Sequence, residues 1–162
     1  MNSLFINPKQ ENDAWGSCDV SELKKGETKK CGWAIVYRRT DIDISSIDKY
    51  TSLLADPGSK QSEQQSLAQN RWRSVNEDYF IFKPWAPIRK CEVKLVESKF
   101  YYGWEPPEND ALMELPFFTE PCEGRTWDTS GRLYYREGYP PERNLIVPKV
   151  QWVSPTKVFI HV

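Results

Sequence analysis

Ten of the chain's twelve prolines fall after residue 80, and that distribution limits the second half of the molecule more than any other feature. Proline fixes its own φ and has no N–H to donate. A ladder interrupted this often holds only short strands, with proline at edges, bulges and ends. Pro116, Pro148 and Pro155 are expected in such places. Between the prolines lie runs rich in β-branched and aromatic residues: "DYFIFK", "RKCEVKLVESKFYYGW", "ALMELPFF", "GRLYYREG", "NLIVPKV" and "VQWVSPTKVFIHV". Short strands divided by turn residues predict an antiparallel sandwich or a barrel-like sheet. In "CEVKLVE", Cys91, Val93 and Leu95 alternate with Glu92 and Lys94, so the first set points inward. In "KFYYGW", an extended backbone sets Phe100, Tyr102 and Trp104 on one face and Tyr101 on the other. That reads as core, with Trp104 and Tyr101 nearest solvent.

The first half is different. "CGWAIVYRR" is apolar on both faces, with Trp33, Ile35 and Tyr37 on one and Ala34 and Val36 on the other. That is the pattern of a central strand. "DISSIDKYTSLLADPG" predicts a helix. Ser45 and Asp48 form a capping-box pair, Ile47, Tyr50 and Leu54 with Leu53 make one apolar stripe, and Asp56-Pro57-Gly58 ends it. Residues 57–70 are polar and read as a mobile loop, or as a solvated helix docked through Leu67 and Trp72. Residues 1–30 form a polar N-terminal segment. With 162 residues there is enough chain for one core, so we expect a single domain over 1–162. The expected fold is mainly β, α+β in detail, with one or two short helices in the N-terminal half.

Composition then narrows the chemistry. The single histidine, His161, stands next to the last residue. A zinc site of the H-E-x-x-H or Cys-His type has no ligands here, and a catalytic triad would need its base at the chain end. No glycine-rich phosphate cradle is present. S-x-x-K occurs at Ser21–Lys24 and Ser46–Lys49 without its companion K-T-G. A net charge of −1 gives no overall attraction to nucleic acid or to a membrane surface. No apolar run is long enough to span a bilayer, and the N-terminus does not read as a signal peptide. These features predict a cytoplasmic protein, in the host cytoplasm if phage-encoded. There, Cys18, Cys31, Cys91 and Cys122 are expected as free thiols, although Cys18 and Cys31 are placed to bridge a hairpin. No cofactor and no metal are expected.

Three constellations remain. Between Lys99 and Arg125 there is no Lys or Arg, yet Glu105, Glu108, Asp110, Glu114, Glu120 and Glu123 all fall there. "WEPPE" at Trp104–Glu108 is echoed by "YPPE" at Tyr139–Glu142. Each sets a ring beside a stiff Pro-Pro-Glu corner that loses little entropy on binding. Arg71, Trp72 and Arg73 form a basic-aromatic cluster suited to stacking a base. The first reading is a non-enzymatic interaction module such as an inhibitor, immunity factor or phage-encoded antagonist. It would bind another protein through Trp104, Glu105, Glu108, Asp110, Tyr139 and Glu142, with Arg71, Trp72 and Arg73 as a second patch. The alternatives are a carbohydrate-binding module or small carboxylate-based glycan-active enzyme, and a single-stranded nucleic acid binder through Arg71-Trp72-Arg73.

Overall fold

The structure is a computed structural model that describes residues 15–62, 64–96 and 116–161. Within them the chain is mainly β. The strands are β1 (Trp15–Asp19), β2 (Thr28–Cys31), β3 (Ala34–Arg38), β4 (Tyr79–Phe82), β5 (Lys94–Val96), β6 (Phe117–Thr119), β7 (Thr126–Trp127), β8 (Val150–Ser154) and β9 (Lys157–His161). They form three antiparallel sheets in the orders β1-β9-β8, β2-β3-β4 and β5-β6-β7. Pro116 precedes β6, Pro148 precedes β8 and Pro155 lies in the turn from β8 to β9. Each caps a strand that its missing N–H would otherwise interrupt. The expectations for Phe100, Tyr101, Tyr102 and Trp104 lie outside the described residues.

The sheets stack in three layers, and β3 lies between the outer two. Ala34 and Val36 on one of its faces, with Tyr79 and Ile81 of β4, pack on Cys18, Val150, Trp152, Val158 and Ile160 of the first sheet. Tyr37, Phe80 and Phe82 on the other face pack on Val93, Phe118, Trp127 and Leu145. Phe82 and Phe118 have centroids 4.6 Å apart, and Tyr37 meets Phe118 edge-on at 5.7 Å. Such ring pairs contribute roughly 0.5–1.5 kcal/mol beyond area burial. Cys91 and Val93 are buried while Glu92 and Lys94 are exposed, as their alternation requires.

The helix differs from its expected place. α1 spans Asp41–Ser46, with Thr40 as N-cap and Asp43 completing the capping box. Ser45 lies inside it. Asp43 wins because its carboxylate also accepts from the Tyr37 hydroxyl, 2.6 Å away in the interior. Beyond α1 the chain turns and re-forms a 3-10 turn at Thr51–Leu53. Ile47, Tyr50 and Leu54 are still buried, so the stripe holds without a continuous helix. In residues 57–70 a 3-10 turn at Ser66–Ala68 buries Ala68 and leaves Leu67 51% exposed. Asn144 ties the stretch down by donating to the Asp56 carbonyl and to Ser59.

The cysteines are paired, not free. Cys18–Cys31 joins the first sheet to the central one, and Cys91–Cys122 joins the entry of β5 to the turn after β6. No helix among the described residues is long and apolar enough to cross a membrane.

A polar seam crosses the core. The loop Asp128–Arg132 carries its carbonyls inward, and two buried arginines saturate them. Arg39 donates to the carbonyls of Thr129, Trp72 and Glu77 and to the hydroxyls of Ser74 and Ser130. Arg73 donates to the carbonyls of Ser130, Gly131 and Leu145. Burial pushes both guanidiniums down to about 10. Gly131 turns the loop at φ +68° against Phe80.

Candidate functional site

Three loops meet at one end of the third sheet: the β4–β5 connection, the β6–β7 turn and residues 135–143. The first folds on itself, with the Ala86 N–H donating to the Cys91 carbonyl and the Lys90 N–H to the Ala86 carbonyl, both at 2.8 Å. Lys90 takes φ 61°, a conformation that costs a side-chain-bearing residue energy and needs its neighbours to hold it. The Cys91–Cys122 disulfide fastens this loop to the second. Arg89 and Glu123 add an ion pair at 3.4 Å. Glu142 fastens it to the third: its carboxylate accepts from the N–H groups of Ile88 (2.8 Å), Arg89 (3.1 Å) and Arg143 (2.9 Å). Trp127 Nε1 donates to the Arg143 carbonyl at 2.9 Å, anchoring the third loop to the core. The arrangement is a platform braced from several directions.

The platform presents Ile88, 46% exposed, and Tyr139, 39% exposed. Arg89, Lys90 and Arg143 stand exposed around them. Two guanidiniums face the Tyr139 ring, Arg125 at 4.8 Å and Arg136 at 4.9 Å from its centroid. A depression of about 420 Å³ lies alongside, lined by Gln61, Ser62, Pro87, Ile88, Arg143, Asn144 and Ile146. Two acids here, Glu142 and Glu120, are tied to backbone N–H groups, while Glu92 and Glu137 stand exposed. Glu120 is buried and caps its own turn, accepting from the N–H groups of Cys122, Glu123 and Arg125. Around Ile88 and Tyr139 the exposed charges are Arg89, Lys90 and Arg143 together with Glu137, while Glu105, Glu108, Asp110 and Glu114 lie outside the described residues.

No family model matches the chain, and no curated protein matches it in sequence.

The sequence candidates fall in separate places. Tyr139 and Glu142 both belong to the platform, Tyr139 as a displayed ring and Glu142 as the tie beneath it. Trp104, Glu105, Glu108 and Asp110 lie outside the described residues. Arg71-Trp72-Arg73 is elsewhere and is split. Arg71 pairs with Asp48 and stacks at 4.4 Å on the half-buried Trp72. Arg73 is buried with its guanidinium spent on main-chain carbonyls and the Gln64 side chain, so a ligand at the surface does not reach it. Ile88, Arg89, Arg125 and Arg136 carried no signal in the sequence. Only the pairing of Cys91 with Cys122, had it been known, would have brought the first two loops together.

Two other clusters have the outline of chemistry. Cys91, Cys122 and Glu120 bring ligand atoms within 4.8 Å of one another. The sulfurs are bonded to each other, however, and the carboxylate is occupied by backbone N–H groups, so the residues do not fit a metal in this state. Asp43, Asp128, Arg132 and Tyr134 border a cavity of about 20 Å³. That is room for one water, and one Asp43 oxygen in the interior has no hydrogen-bond partner among the described residues. Burial raises the Tyr134 hydroxyl well above its ordinary range.

Proposed function

We propose that this chain is a non-enzymatic recognition module that binds another protein through the loop platform around Tyr139. The observation that carries the reading is the bracing. A disulfide, an ion pair and the three-way clasp of Glu142 hold exposed Ile88 and Tyr139 in one geometry. A surface ordered beforehand loses little freedom on binding, and tyrosine and arginine beside an aliphatic group are the side chains that dominate protein interfaces. The role extends naturally to an inhibitor or antagonist, which acts by occupancy. The exposed Arg89, Lys90 and Arg143 beside Ile88 and Tyr139 favour an acidic partner surface; the acidic display expected at Glu105, Glu108 and Asp110 lies outside the described residues. The two disulfides favour an oxidising working compartment over the reducing cytoplasm expected from the sequence.

A carbohydrate module gains less support. Stacking on sugars calls for coplanar exposed rings, and the Trp33–Trp85 pair is half-buried and tilted by 42°. The test is comparative affinity capture from the native source. Wild-type protein, Ile88→Asp with Tyr139→Ala, and Ile42→Asp as a control far from the platform serve as baits. A protein retained by wild type and by the control but lost from the platform variant supports the reading. Equal retention by all three, with the fold intact, overturns it.

A further inference from the structure

A sheet edge is open where its backbone N–H and C=O groups lack partners. Two of the edges here are closed. At β8 the Gln65 side chain takes the place of a strand: its Oε1 accepts from the Val150 N–H at 2.7 Å and its Nε2 donates to the Val150 carbonyl at 3.2 Å. Beyond β7 the Tyr134 N–H donates to the Thr126 carbonyl at 3.0 Å. β2 and β5 differ. The Arg38 N–H donates to the Glu27 carbonyl at 3.0 Å, one step beyond the β2–β3 register. By alternation, Lys29 with Val36 and Cys31 with Ala34 are the hydrogen-bonded pairs. Thr28 and Lys30 therefore turn their main-chain groups away from β3, and among the described residues those groups have no partner. In the third sheet the Glu120 N–H donates to the Arg125 carbonyl and Phe118 pairs with Trp127. β6 thus turns Phe117 and Thr119 toward Val96 and Lys94, which leaves the main chain of Leu95 facing outward. Both edges border one depression of about 360 Å³, with Ile35, Phe82, Val93 and Leu95 in its lining. Thr28 and Lys30 lie opposite Tyr37 and Ile35, so their side chains stand on the face of the central sheet that packs on the third.

We propose that this depression takes an extended, acidic segment of a partner protein, added as a strand along β2. Strand addition draws affinity from main-chain bonds and selectivity from alternate side chains. The unpaired N–H and C=O groups of Thr28 and Lys30 call for an extended backbone. Lys30 and Lys94 both line the depression, are exposed, and make no ion pair among the described residues, against a single acid, Glu92. A second copy of β2 would set Lys29 and Lys30 against their own like, which is destabilising, so the charges oppose self-pairing and favour an acid. Aliphatic side chains on the inner face of the added strand would cover Ile35 and Leu95, both only half-buried at the rim of the second core. None of these residues belongs to the displayed surface of Ile88 and Tyr139, so the site goes beyond the platform.

The test uses the full chain with its disulfides intact. Backbone amide resonances are followed by NMR as the capped peptide Val-Thr-Glu-Thr-Val-Thr is added, whose extended form carries Val, Glu and Val on one face. Expected is a saturable shift of the Thr28 and Lys30 amides, weaker by about fivefold or more when Lys replaces Glu in the peptide. The same peptide N-methylated throughout has no main-chain donors and is expected not to bind. Lys30→Glu is expected to reverse the preference between the two peptides. Ile88→Asp with Tyr139→Ala is expected to bind the peptide as wild type does, so this site and the platform fail separately. No saturable shift, equal binding of the Glu and Lys peptides, or equal binding of the N-methylated form overturns the proposal. Shifts at Thr28 and Lys30 that grow with protein concentration alone assign the edge to a second copy and overturn it as well.

Discussion

Replacing Gly131 with alanine would set a β carbon 2.5 Å from Phe80 Cζ in a backbone at φ +68°. Both the clash and the left-handed conformation oppose it, and neither neighbour has room to give. Gly131→Ala is expected to lower stability by about 2–4 kcal/mol, measured by urea denaturation. Arg73→Met keeps the volume but takes the guanidinium donors from the carbonyls of Ser130 and Leu145 and leaves that of Gly131 with the Leu145 N–H alone. A loss of about 3 kcal/mol is expected in the same assay. An unchanged midpoint for Arg73→Met would mean that water replaces the guanidinium. Neither role was legible in the sequence. Arg73 reads there as one more cation beside a tryptophan, because charge predicts exposure wherever acceptors are unknown. Its main-chain acceptors lie 57, 58 and 72 residues away.

The elements differ in how plainly the sequence announces them. β3 was legible because Ala34–Arg38 is apolar on both faces, and few environments other than a central strand bury both. The start of α1 was not, since Thr40–Asp43 and Ser45–Asp48 carry the same capping pattern. Local chemistry does not rank them, and the buried contact of Asp43 with Tyr37 does. Thr40→Ala is therefore expected to cost about 1 kcal/mol, and Ser45→Ala less than about 0.5 kcal/mol. The opposite order in thermal or urea melts would return the cap to Ser45. At the platform, Glu142→Gln keeps the size of the tie and removes its charge, and charge-assisted bonds are roughly twice as strong as neutral ones. Faster hydrogen exchange is expected at the amides of Ile88 and Arg89, with the centre of β3 unaffected. Exchange unchanged at both amides would show that the disulfide alone holds the loop.

At the scale of the whole molecule, the described residues form three small sheets rather than one large one; Cys18–Cys31 links two sheets that no ladder joins, and Cys91–Cys122 closes the end of the β5–β6 pair. The sequence indicated mainly β structure, but proximity of Cys91 to Cys122 depends on tertiary layout and no spacing rule supplies it. The same holds for the candidate site, of which Tyr139 and Glu142 were legible as an aromatic Pro-Pro-Glu corner while the loops they meet were not. Reduction with a dithiol is expected to lower stability by about 3 kcal/mol for each bond lost, read as a fall in the denaturation midpoint. Equal midpoints with and without reductant would remove the disulfides from the energetics. The bond between Cys91 and Cys122 closes a ring across 31 positions of sequence. Peptide-bond cleavage anywhere inside that ring yields a nicked species that still migrates as one molecule, and separates into two pieces only once thiols are added.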